Sequence, residues 1–193
     1  EVAAACAAHA PGAPPSRAAA RQIEKDLTRT FAGVGCAGRE GGGVRIPEDE
    51  AVAALRRVLG AHALYCPEVG YCQAMNFLCA VLLLVMDSEE AAFWTLERMV
   101  QGPMLRGYYG TRMEAAVADQ CVLRDALGAA MPALCCHLEG LGVALALVST
   151  QWCVCAFVPC LELRGTLRLW DALLYADGAL EMQPQPQPQP QPQ

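Results

Sequence analysis

From Tyr71 to Met86 the chain is apolar on almost every side of a helical wheel, with Gln73 and Asn76 the main polar interruptions. A helix without a polar face persists in water only when other elements surround it. The segment therefore demands several packed helices around it. Hydrophobic residues make up 54% of the sequence and charged residues 18%, an apolar balance that gives nearly every helix a wide buried face. The 193 residues suit about one domain with a substantial core. No strand-like alternation breaks the pattern, and the expected fold class is all-α.

The remaining helices follow from spacing and end signals. From Ala19 onward Ile23 and Leu27 fall on one helical face, while Asp26 and Arg29, three apart, are placed on a flank roughly opposite, with Arg29 facing solvent. The glycines of the 32–43 stretch cannot support a helix interior and mark a loop. Pro47, Glu48 and Asp49 open a second helix that buries Ala54, Leu55, Val58 and Leu59 and ends near Tyr65. Pro67 and Gly70 precede the apolar helix, and Gln73 is placed in its first turn. Ser88 is an N-cap for a helix through Phe93, Trp94, Leu96 and Val100 that Gly102-Pro103 stops. Periodicity then resumes over Met113–Leu127 and Met131–Leu138, followed by apolar segments around Trp152 and Trp170. Trp94, Trp152 and Trp170, with Asp171, are expected to fill space between helices.

Three domains of composition follow: an Ala/Pro-rich low-complexity segment over 1–20, the helical unit over 21–181, and a Gln-Pro repeat over 182–193 that favours extended polyproline conformation. Residues 1–20 lack the basic start and apolar centre of a secretory signal.

Several function classes lose support at this level. A net charge of -6, with no cluster of Lys and Arg, argues against a nucleic-acid partner. The eleven cysteines sit in apolar runs such as Leu78-Cys79-Ala80-Val81 and Cys153-Val154-Cys155-Ala156, where cysteine acts as a small hydrophobe, which suits a reducing cytosol. Cys135-Cys136-His137 are adjacent on a helix, so they cannot all reach one tetrahedral metal ion. Gly140–Leu161 carries no charged residue and is long enough to span a bilayer. However, Ser149, Thr150 and Gln151 interrupt its middle and Pro159 its end, a pattern that suits two shorter buried segments. No transmembrane segment is expected.

Two side chains stand apart from the core pattern. Arg29 and Gln73 lie at the edges of otherwise apolar helices, and Arg and Gln are the pair that GTP hydrolysis most often needs. An arginine offsets charge on the separating phosphoryl group, and a glutamine amide holds the attacking water in line. The bland alternatives are a surface ion pair of Arg29 with Asp26, worth under about 1 kcal/mol, and a helix-start amide at Gln73 bonded to nearby backbone. There is no G-x-x-x-x-G-K-[ST] sequence, and Gly41-Gly42-Gly43 lacks the Lys and hydroxyl of a phosphate loop, so the chain is not expected to bind GTP itself.

An ordered set of blocks resembles the TBC domains, all-helical activators of Rab-type small GTPases. It comprises I-x-x-D-x-x-R at Ile23–Arg29, Val69-Gly70-Tyr71-Cys72-Gln73 with Asn76, and Ala92-Phe93-Trp94. Pro132 with Leu134 and His137-Leu138, Ser149-Thr150-Gln151-Trp152, Phe157, and Leu169-Trp170-Asp171 continue the order. The resemblance spans roughly Arg21 to Leu180. It implies a multi-helix TBC domain in which Arg29 is an arginine finger and Gln73 a glutamine finger, with Asp26 orienting Arg29 and Tyr71 and Asn76 in support. It further implies a Rab-family partner that carries the GTP and Mg²⁺, no cofactor on this chain, and a cytoplasmic location with recruitment to endomembranes through the partner. The chain would activate hydrolysis in trans without turnover of its own.

Departures from the family pattern set further expectations. Ala74 stands where the family usually has Gly, adding a methyl group at a surface that must approach the GTPase. Cys153 stands where a Phe is usual, at a cost of roughly 1–3 kcal/mol in a core. The family's opening R-x-x-x-W helices are not recognisable before Arg21, and the Gln-Pro tail stands where closing helices belong. The domain is therefore expected to be incomplete, with exposed apolar helix faces. Two alternatives accompany the activator reading: a catalytically inactive TBC-like scaffold that binds a small GTPase or another partner, and a membrane-embedded helical protein.

Overall fold

The computed structural model describes residues 16–33, 48–110 and 112–181. Within them lie eight helices and no strand: α1 Arg17–Gly33, α2 Glu48–Tyr65, α3 Met75–Val85, α4 Glu89–Gln101, α5 Glu114–Ala130, α6 Pro132–Gly140, α7 Ala146–Val154 and α8 Leu163–Glu181. The all-α expectation holds. Residues 1–15 of the Ala/Pro-rich start, nearly all of the glycine-rich stretch with Pro47, and the Gln-Pro repeat lie outside the described residues, whereas residues 17–20 of that start belong to α1.

Helices α1 to α4 form the packed half, with α3 against α1, α2 and α4. Leu78, Cys79 and Ala80 are fully buried, as an all-round apolar helix requires. α1 contributes Ile23 and Leu27, and α2 contributes Ala54, Leu55, Val58 and Leu59, the faces that their spacing predicts. α1 begins at Arg17, earlier than its apolar pattern suggests, because the Ser16 hydroxyl accepts the Ala19 amide (3.1 Å) as a cap. α4 starts where expected. Ser88 is extended and its hydroxyl accepts the Ala91 amide at 3.1 Å. At its other end, a side chain on Gly102 would collide with the Arg98 carbonyl.

Exposed ion pairs join the helices at the rim. Arg56 on α2 donates to Glu24 on α1 (2.6 and 3.1 Å), and Arg57 donates to Glu89 on α4 (2.9 and 2.5 Å). The bond from Arg56 is the main reason that the Glu24 carboxyl is held below its ordinary range.

The second half is looser. α5 packs on α6 and α7, and α8 is anchored by Trp170, whose buried indole donates to the Ala156 carbonyl at 2.9 Å. Three expectations fail: Asp171 on α8 is exposed rather than filling space between helices, and the other two concern the 140–161 segment and Trp94. Gly140–Leu161 does not form two buried segments: the nine-residue helix α7 leaves Leu147 77% exposed, and the segment's apolar side chains are buried only in the turn after it, at Cys155, Ala156 and Val158. Trp94 is not a core residue. It is 39% exposed and lies edge-on to Tyr65 and Phe93 at the rim of the packed half. The cysteines also divide, with Cys66, Cys79 and Cys155 buried but Cys121, Cys136 and Cys160 exposed. Among the described residues no single helix is long and apolar enough to cross a membrane.

Candidate functional site

Asp26 is the centre of the site. Its side chain is fully buried, contrary to the solvent-facing flank expected for it. Three residues advance a helix by about 300°, which leaves Asp26 only roughly 60° from Ile23 and within reach of the core face. A buried carboxylate must have its lone pairs satisfied, and four donors do this here. Oδ1 accepts from Arg29 Nε at 3.0 Å and from Arg29 Nη2. Oδ2 accepts from the Tyr71 hydroxyl at 2.8 Å and from Gln22 Nε2 at 3.2 Å.

Arg29 itself is exposed, with 57% of its side chain accessible. The carboxylate thus grips one edge of the guanidinium while the side chain remains open to solvent. Tyr71 serves as a neutral donor: burial first, and then its bond to the Asp26 carboxylate, push the phenol well above its ordinary value. Burial also raises the neighbouring Cys72 thiol, which disfavours the nucleophilic thiolate.

Gln73 is exposed, but it does not lie in the first turn of α3. The helix begins at Met75, and Ala74 before it has φ 98° and ψ -33°, so Gln73 occupies a turn ahead of the helix. The positive φ redirects the chain between Gln73 and Met75, a conformation that favours glycine. Ala74 is also buried. Contrary to the expectation from sequence, its methyl group therefore does not project toward a partner, and the departure acts on the backbone instead.

Asn76, in the first turn of α3, is buried. Its Oδ1 accepts the Ala74 amide at 3.0 Å and its Nδ2 donates to the Thr30 hydroxyl at 2.9 Å. Thr30 in turn donates to the Asp26 carbonyl at 2.6 Å. The exposed Gln73 is thus flanked by Tyr71 and Asn76, both bonded to α1 within one turn of Arg29. Two residues of chain span at most about 7 Å, so Gln73 stays close to that anchor. Gln22 and Thr30 are absent from the sequence reading of the site. Their signal was available, since 22, 26 and 30 are spaced four apart, where helical side chains meet.

Among the described residues no cluster of His, Cys, Asp or Glu could hold a metal ion. The grouping instead presents a permanently charged guanidinium and a neutral amide, both exposed, on segments fastened to one buried carboxylate. It can offset negative charge and orient a small polar molecule.

Comparison with known proteins agrees with this architecture. Residues 12–182 match the Rab-GTPase-TBC domain. TBC1 domain family member 2A of Homo sapiens is 41% identical over 157 residues, 81% of this chain and 16% of that protein. Growth hormone-regulated TBC protein 1 of Rattus norvegicus is 39% identical over 119 residues, covering 62% of this chain and 41% of its own. Among solved structures, the Chlamydomonas flagellar RabGAP TBC domain superposes with a TM-score of 0.67 at 28% identity, over 86% of this chain and 51% of that one. The chain thus spans about a sixth of the first of these relatives and half of the solved domain. With the helical fold and the ordered motifs, these matches show that the chain belongs to the Rab-GTPase-TBC domain family.

Proposed function

We propose that this chain stimulates GTP hydrolysis by a Rab-family small GTPase, with Arg29 as the arginine finger and Gln73 as the glutamine finger. The observation that carries this reading is the shared carboxylate: Asp26 binds both Arg29 and Tyr71, so the arginine and the segment bearing Gln73 are fastened at one point. The nucleotide and Mg²⁺ belong to the partner. As water attacks the γ-phosphorus and the bond to the β–γ bridging oxygen breaks, the guanidinium of Arg29 offsets charge on the phosphoryl oxygens and the Gln73 amide aligns the water. Asp26 and Tyr71 orient Arg29 before the partner arrives, which lowers the ordering cost at the moment of reaction. Recruitment to endomembranes would come through the partner.

Single-turnover hydrolysis by a panel of GTP-loaded Rab proteins tests the reading. Arg29→Ala is expected to lower the stimulated rate by roughly 10³-fold or more, within the range attributed to such arginines. Arg29→Lys should not restore it, because a point charge cannot reproduce the planar fork. Gln73→Ala should also lose most of the stimulation. Equal rates for wild type and these variants on every GTPase would replace the activator with an inert binding scaffold.

A further inference from the structure

The polar chain from Asp26 through Thr30 and Asn76 to Ala74 has a direction set by chemistry. The Ala74 N–H can only donate, so the atom of Asn76 facing it at 3.0 Å must be the carbonyl oxygen. Nδ2 is then directed at Thr30 and needs an acceptor there. Thr30 has one hydroxyl proton, and it is committed to the Asp26 carbonyl at 2.6 Å. A lone pair is thereby left for Asn76 at 2.9 Å. Thr30 is fully buried and Asn76 is 1% exposed, so water does not compete for these bonds. The far end of the relay holds the amide of a residue at φ 98°, a conformation that persists only where its surroundings over-determine it.

We infer that Thr30 is a positioning residue: its hydroxyl locks the turn carrying Gln73 to the helical turn carrying Arg29, so that the two exposed groups keep one relative geometry. The consequence for hydrolysis rests on the activator reading above, whereas the coupling itself does not. Thr30→Val keeps the shape and removes the hydroxyl, and Thr30→Ser restores it.

Hydrogen exchange on the full chain reads the coupling without any partner. In Thr30→Val the Ala74 amide should exchange roughly tenfold faster or more, since a buried donor is left unpaired. Leu59 in α2 and Leu96 in α4 should stay protected, and Thr30→Ser should return Ala74 most of the way. An unchanged Ala74 amide, or an acceleration shared equally by α2 and α4, would overturn the inference. A measurement on the wild type does not depend on any variant folding: the Asn76 side-chain amide protons should exchange slowly, and rapid exchange there would equally overturn it.

Hydrolysis by a responsive GTP-loaded Rab protein reads the consequence. Thr30→Val should lower the maximal stimulated rate by roughly tenfold or more while the half-saturating GTPase concentration stays the same, as expected for misplaced reacting groups. An unchanged maximal rate, with wild type active, would overturn the positioning role. Wild type inactive on every GTPase would instead sink the activator reading, and the exchange measurements would still judge the coupling.

Discussion

At position 74 a single methyl group sets backbone strain against family precedent. A non-glycine residue at positive φ costs on the order of 1–3 kcal/mol, and Ala74 is held there beside the Gln73 side chain. Ala74→Gly relieves the strain but adds unfolded-state entropy worth about 0.4–1 kcal/mol. The net expectation is a gain of about 1 kcal/mol, read as a higher urea midpoint at unchanged slope. A lower midpoint would mean that the strain is smaller than the entropy that glycine adds to the unfolded chain. The neighbouring residues show what sequence conveys at this scale. Arg29 is exposed, as its spacing indicates. Spacing alone does not reveal the burial of Asp26, because a charged side chain three residues from an apolar one reads as surface until partners distant in the chain satisfy it. Tyr71 is such a partner, 45 positions away in the chain, and no local pattern pairs the two.

Among the elements, those with local stop signals lie where the sequence puts them. α4 runs from the Ser88 cap, with Glu89 and Glu90 in its first turn, to Gly102, with Arg98 near its end. Charges at both ends therefore agree with the helix dipole. Ser88→Ala should cost about 1 kcal/mol and Ser88→Asp almost nothing, measured as shifts in thermal midpoint. Equal stability of all three would show that packing alone defines this end. α3 is the counter-example. Its apolar pattern runs on from Tyr71, yet the helix starts at Met75, since the Asn76 and Thr30 side chains hold Ala74 outside helical space. α5, α6 and α7 have no side-chain cap bond at their N-termini, and their boundaries were legible only approximately, from periodicity.

Across the whole molecule the two halves differ in how far their apolar faces are covered. α1 to α4 supply most of the core, to which Cys155, Ala156, Val158 and Trp170 also contribute, whereas α5 to α8 and their connections leave Val122 66%, Leu141 63%, Leu147 77% and Tyr175 81% exposed. Large apolar side chains exposed in this number favour association where they adjoin. The full chain is expected to bind the dye ANS under native conditions and to scatter light increasingly with concentration. Exchanging Val122, Leu141 and Leu147 for Glu should reduce both signals at little cost to stability, since each side chain is already in water. Strong ANS binding that survives the exchange would place the accessible apolar surface elsewhere. The sequence by itself determined the helical class, the buried faces of α1 and α2, the ends of α4, and the ordered motifs that mark the family, because periodicity and caps act over a few residues. Only the tertiary structure decided that Asp26 lies inside, that Gln73 sits ahead of α3, and that Thr30 joins the two segments. These depend on hydrogen bonds between residues some 45 positions apart, which form only after the helices have packed and water has left the space between them.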